Sequence, residues 1–139
     1  MTRTRTILVI DDDPSQRDLV RDILEEAGFR VIAVGDAADA LTRMAGAAID
    51  LVLLDLVMPR ARMDGFAFLS EIRNRPDLLD TPLVILSGLG DTVAEAIDPA
   101  TAQALRIAFV VPKPFVIVDL VREIRQILGN PGHDGSPAP

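Results

Sequence analysis

The 139-residue chain predicts an α/β fold, a three-layer α/β/α domain in which a doubly wound, five-stranded parallel sheet is covered by helices on both faces. Two observations carry this. Short apolar runs without polar alternation recur along the chain, as strands buried on both faces require. Between them lie segments with the 3.6-residue spacing of amphipathic helices. Strand and helix alternate five times, and right-handed crossovers between parallel strands turn that order into an open, doubly covered sheet.

The strand runs are Ile7-Leu-Val-Ile10, Val31-Ile-Ala-Val34, Leu51-Val-Leu-Leu54, Leu83-Val-Ile-Leu86 and roughly Ile107 to Val111. Asp13 and Pro14 predict the cap and first residue of the first helix, and Gly28 lies just past its end. Leu19, Val20, Ile23, Leu24 and Ala27 form its apolar stripe, with Arg17, Asp18, Arg21, Asp22 and Glu25 opposite. Asp36 with Asp39 predicts an Asp variant of the capping box on a second helix reaching Met44. A third is expected from about Asp64 to Arg75, with Phe68, Leu69 and Ile72 inward and a stop before Pro76. A fourth opens at Asp91 and is interrupted at Pro99. The fifth, about Phe115 to Leu128, buries Val116, Leu120, Val121, Ile124, Ile127 and Leu128, and Gly129 ends it. Residues 1–128 thus form the domain, and 129–139 read as a disordered polar tail or linker remnant carrying the lone His133.

Composition narrows the function. Twenty-one acidic against 14 basic residues give a net charge of −7, which argues against nucleic acid or an anionic membrane as the main partner. The absence of cysteine removes disulfides, thiolate metal sites and Cys nucleophiles. No run suits a signal-peptide core or a membrane span, so a cytoplasmic location is expected.

The chemistry collects at the strand ends. The first strand finishes at Asp11-Asp12-Asp13, the third at Asp55 and the fourth at Ser87, while Lys113 follows the fifth. In a parallel sheet all of these emerge on one edge, where such sheets form their sites. Crowded carboxylates stay ionised together only with a cation among them, and oxygen-only ligands with no His or Cys nearby favour Mg²⁺ over zinc. An Asp beside a metal, a hydroxyl and an ammonium is equipped for phosphoryl transfer. Taken singly, Asp13 reads as a helix cap, Asp11 and Asp12 as a polar turn, and Ser87 as an ordinary strand end. Asp55, set between Leu-Val-Leu-Leu54 and Leu56-Val-Met-Pro59, needs a partner for its charge.

The series Ile-Leu-Val-Ile-Asp11-Asp12-Asp13-Pro, Leu-Leu-Asp55-Leu-Val-Met-Pro59, Met63-Asp64-Gly65, Ile-Leu-Ser87-Gly and Lys113-Pro-Phe115 resembles the receiver domain of bacterial two-component response regulators, over roughly residues 5 to 128. The resemblance implies a flavodoxin-like sheet in the order 2-1-3-4-5 and Mg²⁺-dependent phosphoryl transfer from a phosphohistidine to Asp55. It makes Asp12 the more direct metal ligand and Asp11 a ligand through water, with the Val57 backbone carbonyl as a further one. Ser87 and Lys113 become the hydroxyl and cation that pair with the phosphoryl group, and Gly88 leaves room for it. The expected donor is a sensor histidine kinase or a histidine phosphotransferase. The expected output partner is a protein docked on the face made by the fourth helix, fifth strand and fifth helix. No enzymatic role beyond the domain's own phosphorylation and dephosphorylation is implied.

Three departures stand out. The loop between Pro59 and Asp64 is two residues longer than usual and adds Arg60 and Arg62 at the pocket mouth. The position three before Lys113, where the family's switch aromatic sits, holds Val110, with Phe109 one step earlier and therefore on the other face of a regular strand. A bulge near Pro112 or a modified or absent aromatic switch would accommodate this, and the sequence favours the latter. The Gly-Leu-Gly-Asp91 loop and Pro99 predict an irregular fourth helix. Two other readings compete. One is a pseudo-receiver, an interaction module that is never phosphorylated. The other is a phosphatase of the haloacid dehalogenase type, with Asp11 as nucleophile and Asp13 as acid, which leaves Asp55 unexplained.

Overall fold

A computed structural model describes residues 4–87, 107–112 and 116–129. It contains strands β1 (Thr6–Ile10), β2 (Arg30–Val34), β3 (Leu51–Asp55), β4 (Leu83–Ser87) and β5 (Ile107–Pro112), all parallel, in the order β2-β1-β3-β4-β5. Helices α1 (Pro14–Glu26), α2 (Ala37–Gly46), α3 (Gly65–Arg73) and α4 (Ile117–Leu128) flank the sheet, with a 3-10 turn at Pro76–Leu78. The expected helix opening at Asp91, its break at Pro99 and the tail from residue 130 lie outside the described residues.

The unbroken apolar runs are explained by two cores, one on each face. Leu8, Ile10, Val52, Leu54, Leu83 and Ile85 point to the layer holding α2 and α3. Their neighbours Ile7, Val9, Leu51, Leu53, Val84 and Leu86 point to the layer holding α1 and α4. Alternate residues enter opposite cores, so beyond Thr6 and Arg30, which open β1 and β2, the strands stay apolar up to their carboxyl ends. Each such side chain contributes about 1.5–3 kcal/mol by leaving water.

Local signals set the helix ends. Asp13 accepts from the N–H groups of Ser15 and Gln16 at 3.0 and 3.5 Å, and Pro14 begins α1. Beyond α1, Gly28 takes φ 103°, the left-handed conformation glycine tolerates best. The apolar stripe of α1 holds except at Leu19, which is 48% exposed. In α4, Leu120, Val121, Ile124 and Leu128 are buried, whereas Val116, expected inside, is 62% exposed because it precedes the helix as its cap residue. The third helix begins one residue later than expected, since Asp64 caps it through the Ala67 N–H at 3.0 Å. It also ends two residues early. Asn74 and Arg75 close its last turn onto the carbonyls of Glu71 and Ile72, and Pro76 starts the 3-10 turn.

The β4–β5 ladder shifts register between Leu83/Val84 and Ile107/Phe109, so Ala108 is the extra residue of a bulge. The bulge thus lies at the start of β5, whereas the alternative weighed from the sequence, a bulge near Pro112, would lie at its end. Beyond it Phe109 pairs with Val84 and Val110 with Ile85, and Val110 is 43% exposed.

Candidate functional site

The register that makes the sheet also assembles the acids. Ile10 lies opposite Leu54, so Asp11 follows β1 at the level where Asp55 ends β3. One carboxylate oxygen from each of Asp11, Asp12 and Asp55 lies within 4.8 Å of the others. Asp11 and Asp55 are 3% and 5% exposed, so two of the three charges are nearly withdrawn from water. Such a set is stable only where hydrogen bonds or a cation offset the mutual repulsion.

Each acid is held by backbone. The Asp11 peptide is fixed at both ends. Its N–H donates to the Val34 carbonyl at 3.1 Å, and its carbonyl accepts from Arg17 Nη1 at 2.8 Å. The Asp11 carboxylate accepts from the Asp13 N–H at 3.0 Å. Asp12 Oδ2 accepts from the Arg60 N–H at 2.8 Å, and Asp55 Oδ1 from the Val57 N–H at 3.3 Å. Hard oxygen donors with half-exposed Asp12 and 46%-exposed Val57 at the rim fit a hydrated Mg²⁺. Asp13 does not join the cluster, being spent as the α1 cap.

Ser87 ends β4 one residue beyond Leu86, the register partner of Asp55, which brings its backbone to the same sheet edge. The Ser87 side chain, Gly88 and Lys113 lie outside the described residues.

The loop after Pro59 is built into the structure at both ends. The Arg62 N–H donates to Asp36 Oδ2 at 2.6 Å, and the Ala37 N–H donates to the Met63 carbonyl at 3.1 Å. The Arg62 guanidinium reaches Asp36 and Asp39 at 3.5 and 3.7 Å, so that charge faces α2. Asp36 caps α2 through the Ala38 N–H at 2.8 Å. Asp39, expected to complete a capping box, lies against Arg62. Burial pushes the Asp36 carboxyl up, but the N–H groups of Ala38 and Arg62, the Arg62 guanidinium and the Met63 N–H outweigh it and hold it below the ordinary 3.8. At the far end of the loop the Gly65 N–H donates to the Leu56 carbonyl at 3.0 Å, in a contact too close for any side chain at Gly65.

Three contributors escape a reading of the sequence. Arg17 reads as part of a solvated helix face, yet it turns across Gly35 to the Asp11 carbonyl. Asp36 reads as a cap alone, and Arg60 acts through its backbone, which side-chain identity does not announce. The one available signal is Gly35 at the end of β2, where a Cβ would lie 2.7 Å from Arg17 Nη1.

Comparison with known proteins agrees with this geometry. Residues 7–125 match the family described as the response regulator receiver domain. Response regulator RR06 of Streptococcus pneumoniae serotype 2 is 36% identical over 124 residues, 88% of this chain and 52% of that protein. Response regulator MprA of a Mycobacterium species (strain KMS) is 33% identical over 131 residues, 94% of this chain and 54% of that protein. The chain thus spans about half the length of the curated relatives it matches. The receiver domain of NtrX from Brucella abortus superposes with a TM-score of 0.73 at 31% identity, over 88% of this chain and 97% of that one. TrrA of Thermotoga maritima, solved in complex with Mg(2+)-BeF, gives 0.72 at 26% identity, over 89% and 99%. With sheet order, acidic cluster and sequence match in agreement, the chain belongs to the response regulator receiver domain family of two-component systems.

Proposed function

We propose that this domain accepts a phosphoryl group on Asp55 from a phosphohistidine, in a Mg²⁺-dependent reaction, and so passes between inactive and partner-binding states. The observation that carries the reading is the meeting of Asp11, Asp12 and Asp55 within 4.8 Å, with Asp55 buried at the end of β3. Asp11, Asp12, Asp55 and the Val57 carbonyl would hold the cation, which when bound offsets charge on the phosphoryl oxygens. The Val57 N–H fixes the rotation of the Asp55 carboxylate at 3.3 Å. An Asp55 oxygen attacks phosphorus; the O–P bond forms as the P–N bond breaks, and the imidazole nitrogen keeps the electron pair. Attack by water later returns the carboxylate and inorganic phosphate. Ser87 and Lys113 serve as the hydroxyl and ammonium that meet the transferred group.

In this reading the donor is a sensor histidine kinase or a histidine phosphotransferase, and the domain works in the cytoplasm. Among the described residues no helix is long and apolar enough to cross a membrane. Output passes to a protein bound on the face that includes β5 and α4, by a population shift. With a half-exposed valine at position 110, that shift proceeds without the usual aromatic rotor.

Incubation with acetyl phosphate and Mg²⁺, followed by intact mass, tests the proposal. Wild type should gain one phosphoryl group, and Asp55→Asn should gain none. Labelling that survives Asp55→Asn but is lost in Asp11→Asn would overturn it in favour of a phosphatase-type nucleophile.

A further inference from the structure

The loop after Pro59 makes two contacts that bind distant parts of the chain. Its Arg60 N–H sits on Asp12, 48 residues away, and its Arg62 N–H sits on Asp36, 26 residues away. Only one residue separates the two donors. The loop is therefore a short strap stretched between the acidic cluster and the first turn of α2. Such a strap keeps its register at Asp12 only if its far end is anchored. Asp36 supplies the anchor, and its surroundings set it apart from a simple cap. The residue is buried, and its carboxylate accepts the Ala38 N–H on Oδ1 and the Arg62 N–H on Oδ2, at 2.8 and 2.6 Å. The Ala37 N–H to the Met63 carbonyl pins the strap a second time beside it.

At the other end, the Arg60 N–H does two things for Asp12. It disperses charge on one of three crowded carboxylates, and it fixes the rotation of a side chain that is otherwise only half-buried. The Arg60 N–H can do so only while the loop keeps its register.

We infer that Asp36 is a positioning residue for the acidic site: by anchoring Arg62 it holds the Arg60 N–H against Asp12, so that Asp12 is set for a divalent cation before the cation arrives. The inference rests on reading Asp11, Asp12 and Asp55 as the metal centre.

Two variants separate this role from capping. Asp36→Ser keeps a good N-cap oxygen but is too short and uncharged to hold Arg62. Asp36→Asn keeps the size and one acceptor but turns an amide NH₂ toward the Arg62 N–H. A third, Arg62→Ala, removes the 79%-exposed guanidinium and leaves the backbone donor. The measurements are Mg²⁺ titration by calorimetry and amide hydrogen exchange by NMR, on the whole chain under conditions where every variant is folded. Both Asp36 variants should raise the Mg²⁺ Kd by about tenfold, the low end for outer-shell partners. They should also lose protection at the Arg60 and Arg62 amides while keeping it at Ala40. Arg62→Ala should stay within about twofold of wild type, because the solvent-exposed guanidinium contributes little and the backbone donor remains. Wild-type affinity in both Asp36 variants overturns the positioning role alone. Absence of Mg²⁺ binding by the wild-type chain overturns the metal reading on which it rests.

Discussion

Gly65→Ala is the substitution whose cost the structure states most sharply. A Cβ at this position would lie 2.5 Å from Leu56 Cα, 2.6 Å from the Asp55 carbonyl oxygen and 2.9 Å from the Leu56 carbonyl oxygen. Every one of these atoms is backbone, and the first contact is about 0.9 Å short of the 3.4 Å where ordinary van der Waals contact begins. No rotamer relieves it; the start of α3 must move off the end of β3. Overpacking of this kind costs about 1–3 kcal/mol. The shift also stretches the Gly65 N–H to Leu56 carbonyl bond, for about another 1 kcal/mol. Alanine's better helix propensity returns somewhat less than about 1 kcal/mol. The net expectation is a loss of about 1–3 kcal/mol, or roughly 4–12 °C in Tm for a domain of this size. Urea unfolding followed by far-UV circular dichroism should show a lower midpoint at unchanged slope. A loss under about 0.5 kcal/mol would refute the reasoning, because it would mean that the α3–β3 junction yields freely.

Other glycines behave differently because they meet different atoms. At Gly35 an added Cβ crowds the tip of Arg17, at 2.7 Å, and meets the Asp11 carbonyl oxygen only at an ordinary 3.7 Å. Gly35→Ala should therefore cost about 1 kcal/mol, the bond from Arg17 to the Asp11 carbonyl, and should cost almost nothing in an Arg17→Ala background. A double-mutant cycle in urea measures that coupling. At Gly46, the last residue of α2, a Cβ would have nothing within 4 Å, so Gly46→Ala should stabilise by about 0.5 kcal/mol in the same assay. The lowered pKa of Asp36 carries a sign that can be checked. A carboxyl held below its unfolded value of 3.8 stabilises fully above that pH and loses the contribution as pH falls through and below it. The stability gap between wild type and Asp36→Asn should hence be widest near neutral pH and close in acid. A gap independent of pH would show that charge on Asp36 is not its source.

Much of the fold is legible in the sequence because the rule that writes it is simple. A strand covered on both faces admits no polar residue, so its first carboxylate marks where it leaves the cores. Asp11 and Asp55 announce the site for that reason. Helix boundaries carried by side-chain caps, as at Asp13 and Asp36, are legible too. What escapes is whatever depends on backbone donors or on the reach of a long side chain. The Arg60 N–H, the path of Arg17 over Gly35 and the second use of Asp36 all arise only once distant segments are packed together. Periodicity places Val116 and Leu19 on buried stripes, yet both are exposed, Val116 because it precedes its helix as the cap residue.

The all-parallel ladder has a kinetic consequence. Every hydrogen-bonded strand pair is parallel, and β1 and β3, which set Asp11 beside Asp55, are separated by a helix, a strand and a second helix. No local hairpin can therefore bring the acids together early, and their meeting waits for long-range closure of the sheet. A divalent cation held there, as proposed, would find its ligands only in a chain whose sheet has already closed. It should leave the refolding rate nearly untouched and slow unfolding instead, acting as a late lock on the finished sheet.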